Sequence, residues 1–208
     1  MEYTIVLGGG ESGMWAALLA KRLGHRVLLS DSNTLRDATR DLLLQHGIRI
    51  EERGHSLPEL ERATRVIKSP GIPDNTAVVQ RCIEAGVPIV SEIEFAAQHV
   101  AQGSTLIGIT GSNGKTTTTT LVSEILKHAG YTVHLGGNIG TPLLPRVDTM
   151  TENDLAVVEL SSFQLMGMKH SPHIAAITNL TPNHLDYHKD FDEYVQAKTA
   201  IYRNQGEN

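Results

Sequence analysis

The sequence predicts an α/β protein of two successive parallel-sheet units, and three observations carry that expectation. The opening stretch YTIVLGGGESGMWAALLAKRLGHRVLLSDS reads as strand, glycine turn, helix and second strand. Further along, TLIGITGSNGKTTTTTL repeats the order of buried strand, glycine-rich turn and helix start. Elsewhere short apolar runs alternate with helical patterns, which is the arrangement of βαβ units around a parallel sheet.

In the first unit, a strand is expected at Thr4–Leu7, a turn at Gly8–Gly13, a helix to about Leu23 and a strand at Arg26–Ser30. Gly8, Gly10 and Gly13 fit the G-x-G-x-x-G spacing, and Asp31 closes the second strand about where a ribose-binding acid is expected. The pattern suits a nucleotide at the helix N-terminus; it also suits a tight turn that only lets helix and strand pack closely. The unit continues with a helix around Leu35–His46 and strands at Ile48–Glu51 and Arg65–Lys68. The turn Ser69-Pro70-Gly71 follows at a strand's C-terminal end, where open parallel sheets place their ligand crevice. A helix at about Asn75–Ala85, a short strand at Pro88–Val90 and a helix around Glu92–Val100 complete the unit. The polar run Ala101–Ser104 marks the boundary, giving domains of residues 1–100 and 101–208.

The second unit opens on the phosphate loop. The β-branched run Leu106–Thr110 suits a central strand, and Gly111, Ser112, Asn113 and Gly114 let backbone N–H groups curl round an anion. Lys115 supplies a charge, Thr116 a hydroxyl able to hold Mg²⁺, and the following helix points its positive end at the phosphates. The usual loop has a glycine five residues before the second one, and here that position is Ile109. The threonine run Thr116–Thr120 is poor helix-forming material, so packing or a ligand must compensate.

Beyond it, a helix to about His128 leads into a strand at Tyr131–Leu135 that ends in Gly136–Gly140. A strand at Leu155–Leu160 carries Glu159 near its end, where folds of this kind hold Mg²⁺. A further strand is expected at Ile174–Asn179, followed by a loop with His184 and Asp186, the latter able to orient the former. Asp190 and Glu193, at capping-box spacing, start a helix that runs to about Asn204. On it Phe191, Tyr194, Val195, Ile201 and Tyr202 form an apolar stripe with Lys198 in its middle. That lysine either snorkels to water or sits desolvated with a depressed pKa, available for chemistry.

Composition narrows the function. A net charge of −5 argues against nonspecific nucleic-acid binding, which needs a basic face. No apolar run reaches the length of a membrane span, and the N-terminus enters a strand without a basic region, so a cytoplasmic location is expected. The single cysteine, Cys82, reads as a buried structural thiol.

Four stretches carry a resemblance across the whole chain: ITGSNGKTTTT, GGNIGTPL, ELSSFQL, and NLTPNHLDYH followed by EYVQAKTAIY. In these the chain resembles the Mur ligases of bacterial cell-wall synthesis, and Glu-Leu-Ser-Ser-Phe-Gln points to the branch that adds D-glutamate. The resemblance implies an N-terminal Rossmann-like domain that binds UDP rather than NAD, through Ser12, Asp31, Ser32 and Ser69-Pro70-Gly71. Asn138 would meet the sugar and lactyl region, with Ser161 and Gln164 also on the substrate. Gly111, Ser112, Asn113, Gly114, Lys115, Thr116 and Thr117 would hold ATP, and Thr116 and Glu159 Mg²⁺. His184 and Lys198 would serve a second Mg²⁺, the lysine as its carbamate. Asn33 stands where some relatives have a basic residue.

The implied reaction is ATP-dependent: the terminal carboxylate of UDP-N-acetylmuramoyl-L-alanine is phosphorylated, and the D-glutamate amine attacks the acyl phosphate. Lys115, His184 and Lys198 would be the catalytic residues. Such ligases usually have three domains, so this chain is expected to be a fragment that holds the first domain and part of the P-loop-type central one. Adenine contacts and most of the D-glutamate site would lie in the remainder. The competing classes are an NAD-linked oxidoreductase on the first glycine pattern, which leaves the phosphate loop unexplained, and a nucleotide-binding module without catalysis.

Overall fold

The computed structural model of the chain describes residues 2–140, 142–166, 168–183 and 187–206; His184 and Asp186 lie outside them. The chain forms two compact units, residues 1–95 and 96–208.

In the first unit the elements are β1 (Tyr3–Leu7), α1 (Glu11–Arg22), β2 (Arg26–Ser30), α2 (Asp37–Gln45), β3 (Arg49–Glu51), α3 (Leu57–Arg62), β4 (Arg65–Lys68), α4 (Ala77–Glu84) and β5 (Ile89–Ser91). The strands are all parallel, in the order β3-β2-β1-β4-β5. As the central strand, β1 is buried along its whole length, which is why it reads as a largely apolar run, broken only by Thr4, whose hydroxyl bonds with His25 Nδ1 at 2.9 Å. Ile5, Leu7, Leu28, Val66, Val79 and Cys82 pack in one core, each large aliphatic side chain contributing about 1.5–3 kcal/mol by leaving water. Burial also pushes the Cys82 thiol pKa up, in keeping with a structural role. The start of α1 lies so close to the turn after β1 that a Cβ on Gly13 would stand 1.9 Å from the Gly8 carbonyl oxygen. Only glycine allows that approach.

Helix α5 (Glu92–Gln98) spans the division between Phe95 and Ala96, slightly ahead of the polar run Ala101–Ser104. The second unit then holds β6 (Thr105–Thr110), α6 (Lys115–His128), β7 (Val133–Gly137), a 3₁₀ turn (Val147–Thr149), β8 (Leu155–Glu159), α7 (Ser162–Leu165), β9 (Ile174–Ile177) and α8 (Phe191–Arg203). Its strands are parallel in the order β7-β8-β6-β9. The two parallel-only sheets are the fold class that the sequence predicts.

Local chemistry explains where the elements differ from the sequence expectation. Helix α3, which periodicity does not reveal, begins with Pro58 in its first turn, where a missing N–H costs nothing. The short α7 is set by a capping box: Ser161 accepts from the Gln164 N–H, and the Gln164 side chain accepts from the Ser161 N–H. At α8 the Asp190 side chain caps Glu193 N–H at 2.8 Å, but the Glu193 carboxylate reaches the Lys189 N–H rather than that of Asp190. The buried face of α8 is Tyr194, Ala197, Lys198, Ala200 and Ile201. Tyr202 falls one step, about 100°, round the helix from Ile201 and is exposed.

Candidate functional site

In the second unit, neighbouring strand ends converge on the phosphate loop. Strands β7 and β8 lie to one side of β6 and β9 to the other, so the loop after β6 occupies the point where the strand order reverses, the usual ligand crevice of such sheets. Gly111 leaves β6 with φ +146°, and a Cβ there would lie 1.9 Å from Thr178 Oγ1. The segment after β9 braces the loop: Ser112 N–H donates to the Asn179 carbonyl at 2.9 Å and Asn113 N–H to Asn179 Oδ1 at 3.0 Å. Gly114, in the left-handed region at φ +78°, caps α6, whose first turn begins with Lys115 and contains no acid. The positive helix end therefore faces the loop unneutralised by its own first turn.

The side chains on this loop are tightly placed. Lys115 Nζ donates to the Ser112 carbonyl at 3.0 Å. Thr116 Oγ1 donates to Glu159 Oε2 at 2.7 Å, and Asn138 Nδ2 donates to Glu159 Oε1 at 3.2 Å. Glu159, at the end of β8, is thus buried with one oxygen held from α6 and the other from the turn after β7. Thr117 follows on the exposed side of α6. Thr119, in contrast, is buried and bonds back to the Lys115 carbonyl at 2.8 Å. The Thr116–Glu159 bond and the burial of Thr119 offset the weak helix propensity of the threonine run, up to about 0.7 kcal/mol per residue.

Lys198 does not snorkel. Its side chain is 2% exposed, and Nζ donates to Thr110 Oγ1 at 3.2 Å beneath the loop. Burial, with the nearby Lys115 charge and against the pull of Glu159, brings its pKa down to about 8.

Sequence reasoning overlooked several groups here. Tyr194, read as part of an apolar stripe, sets its hydroxyl 2.9 Å from Ser112 Oγ. Ser112 donates to the Thr181 carbonyl and accepts from the Thr181 N–H, so its proton is spent and Tyr194 is the donor. A buried tyrosine needs a partner for its O–H, and that was the available signal. Buried His188 joins Ser162 Oγ at 3.0 Å and stacks on Phe163 at 5.7 Å. Ser161 and Gln164, expected on the substrate, are engaged with each other in the α7 capping box.

In the first unit the turns after β1 and β4 are neighbours at the reversal of strand order, which brings Gly8–Gly13 beside Ser69, Pro70 and Gly71. Ser69 Oγ lies 3.5 Å from the Gly8 carbonyl oxygen. Ser12 stands in the first turn of α1. Asp31, just past β2, accepts from Gly9 N–H at 2.6 Å and from Asn33 N–H at 2.7 Å, while Ser32 beside it is exposed. The acid thus ties the glycine turn to the end of the second strand.

Among the described residues no group of three His, Cys, Asp or Glu side chains could cage a metal. Thr116 and Glu159 nevertheless offer hard oxygen donors side by side, the partial set with which proteins hold Mg²⁺ that takes its other ligands from phosphate and water.

A glycine-rich loop on a central parallel strand, with Lys-Thr after it and an acid on the adjacent strand, is the build of a P-loop-type α/β protein. Residues 109–208 match the Mur ligase middle domain. The chain is 43% identical over 203 residues to the UDP-N-acetylmuramoylalanine–D-glutamate ligase of Streptococcus mutans, covering 96% of this chain and 45% of the relative. With the protein of the same name from Bacteroides fragilis the figures are 45% over 207 residues, 99% of this chain and 46% of the relative. The chain therefore spans about half the length of the curated relatives it matches. Among solved structures, the UDP-N-acetylmuramate:L-alanyl-gamma-D-glutamyl-meso-diaminopimelate ligase of Neisseria meningitides superposes with TM-score 0.65 at 19% identity, covering 100% of this chain and 69% of that one, a likeness of fold alone. Residues 109–208 thus belong to the Mur ligase middle-domain family, and the chain as a whole is similar to ligases of that family.

Proposed function

We propose that this chain is the UDP-substrate domain and part of the ATP-binding domain of a ligase that joins D-glutamate to UDP-N-acetylmuramoyl-L-alanine. The observation that carries the reading is the Thr116–Glu159 contact beside Lys115, on a chain whose relatives bear that ligase name. In the reaction the terminal carboxylate of the UDP substrate takes the γ-phosphoryl group of ATP and releases ADP. The D-glutamate amine then attacks the acyl carbon, phosphate leaves, and an amide forms.

The difficulty is electrostatic, because two polyanions must meet. The run Gly111 to Gly114 shapes the cradle, with the Ser112 and Asn113 N–H groups held by Asn179, and the ATP phosphates meet the N–H groups at the α6 N-terminus; Lys115 offsets their charge, and Thr116 and Thr117 stand in the first turn of that helix. Mg²⁺ held by Thr116 and Glu159 would supply further charge compensation. As its carbamate, formed when the neutral amine adds CO₂ and loses a proton, Lys198 would help to hold a second Mg²⁺, with His184 as the other residue assigned to it. Ser12, Asp31, Ser32 and Ser69-Pro70-Gly71 bind the UDP moiety, and Asn138, Ser161 and Gln164 the remainder of that substrate. The alternatives, an NAD-linked oxidoreductase or a non-catalytic nucleotide module, find no specific support in this geometry.

The test is phosphate release by the full-length protein. It should require ATP, the UDP substrate and D-glutamate together, and Lys115→Ala should abolish it. The chain of residues 1–208 alone should release none, since a large part of such catalysis is the positioning of both reactants. Turnover without either substrate, or undiminished turnover in Lys115→Ala, would contradict the proposal.

A further inference from the structure

Ser30 closes β2, and its Oγ has three polar neighbours: Glu51 Oε2 at 2.8 Å, His55 Nδ1 at 2.8 Å and the Gly54 carbonyl oxygen at 3.2 Å. A carboxylate and a carbonyl only accept, and a hydroxyl carries one proton. That proton goes to Glu51 or Gly54, so the imidazole must be the donor to Oγ. Glu51 Oε2 also accepts from the Ser56 N–H at 3.0 Å. His55 accordingly holds its proton on Nδ1 and presents Nε2 as a lone pair. Burial, outweighing the Glu51 and Asp31 charges, keeps the imidazole pKa below its ordinary value, so the ring is neutral at neutral pH. The described residues offer Nε2 no partner of its own.

This imidazole is fixed beside the strand ends of the first unit. Gly54 N–H donates to the Asp31 carbonyl at 3.2 Å and Arg53 N–H to that of Asn33 at 3.4 Å, which pins the turn carrying His55 against the end of β2. Outward from the centre the strands run β1, β2, β3. A nucleoside diphosphate whose diphosphate lies at the β1 turn and whose ribose meets Asp31 therefore carries its base toward β3 and His55. Uracil has a single N–H, at N3, between two carbonyls, and a fixed lone pair can bond only to that position. Cytosine has a lone pair of its own at N3.

We propose that His55 Nε2 accepts a hydrogen bond from uracil N3–H and so determines the choice of pyrimidine. The inference rests on the reading of the first unit as the UDP site and adds a residue and a base selection to it.

The experiment is calorimetric titration of the chain with UDP, CDP and 3-methyl-UDP, before and after His55→Ala. UDP should bind about tenfold more tightly than CDP, and His55→Ala should weaken UDP about three- to tenfold while leaving CDP unchanged, the size of one hydrogen bond. An unaltered UDP-to-CDP ratio in His55→Ala overturns the proposal while leaving the UDP reading intact. Absence of UDP binding by the unmodified chain overturns both. If His55→Ala fails to fold, 3-methyl-UDP reads the same bond in the unmodified chain, and binding as tight as that of UDP refutes the role of Nε2.

Discussion

Thr110 Oγ1 and Lys198 Nζ, 88 residues apart in sequence, lie 3.2 Å apart in the interior of the second unit. The Thr110 hydroxyl spends its proton on the Leu160 carbonyl at 2.6 Å, so it can only accept from Lys198. The amine is thereby held beneath the phosphate loop, with its pKa lowered to about 8 chiefly by burial.

Stability should therefore depend on pH through Lys198. Folded, the amine gives up its proton near pH 8; unfolded, it does so near the ordinary lysine value. Between these values the unfolded chain binds more protons, so stability rises with pH from about 8 upward. Tyr3, raised to about 12 first by burial and then by its bond to Glu59, acts oppositely above pH 10, where ionisation favours unfolding. Urea midpoints measured from pH 7 to 9.5 should climb, and Lys198→Met should flatten that slope. A flat profile in the unmodified chain would contradict the assignment.

Glu159→Gln should keep an oxygen for Thr116 while removing the charge that favours a cation. We expect Mg²⁺ to support MgATP binding about 10- to 100-fold less well, on the scale of lost metal-site partners. Titration of Mg²⁺ at fixed ATP measures this, and an unchanged requirement would place the metal elsewhere.

Gly111→Ala should displace the phosphate loop, because the added Cβ would lie 1.9 Å from Thr178 Oγ1 at a φ of +146°. Overpacking of this kind costs about 1–3 kcal/mol. MgATP binding should be lost while UDP binding is retained, and calorimetry with each ligand separates the two. Retained MgATP affinity would show that the loop conformation is not required.

Ser123 offers the opposite case. Its side chain is fully buried on α6, and among the described residues its hydroxyl has no hydrogen-bond partner. Ser123→Ala removes that cost and improves helix propensity, so stability should rise by about 1 kcal/mol or more. A fall in the urea midpoint would mean that the hydroxyl is satisfied after all.

The parts of this molecule that were legible in the sequence are local. Strand, glycine turn and helix follow one another within short windows at Gly8–Gly13 and Gly111–Gly114, and both units appear there. Glu159 was legible as well, because an acid ending an apolar strand is a positional signal. What escaped depends on distant partners. Ser112 and Tyr194 are 82 residues apart, and Ser30 and His55 are 25 apart; each pair is joined only by the folding of separate strands and helices into one sheet end. Ser161 and Gln164 show the limit differently: their capping-box spacing was visible, yet α7 is too short for periodicity to reveal it.

Titration of the chain with UDP, NAD and MgATP in separate calorimetric runs tests most directly the claim that the first unit is a UDP site and the second an ATP-phosphate site. The account predicts binding heat for UDP and for MgATP and none for NAD. Binding of NAD without any binding of UDP would contradict it.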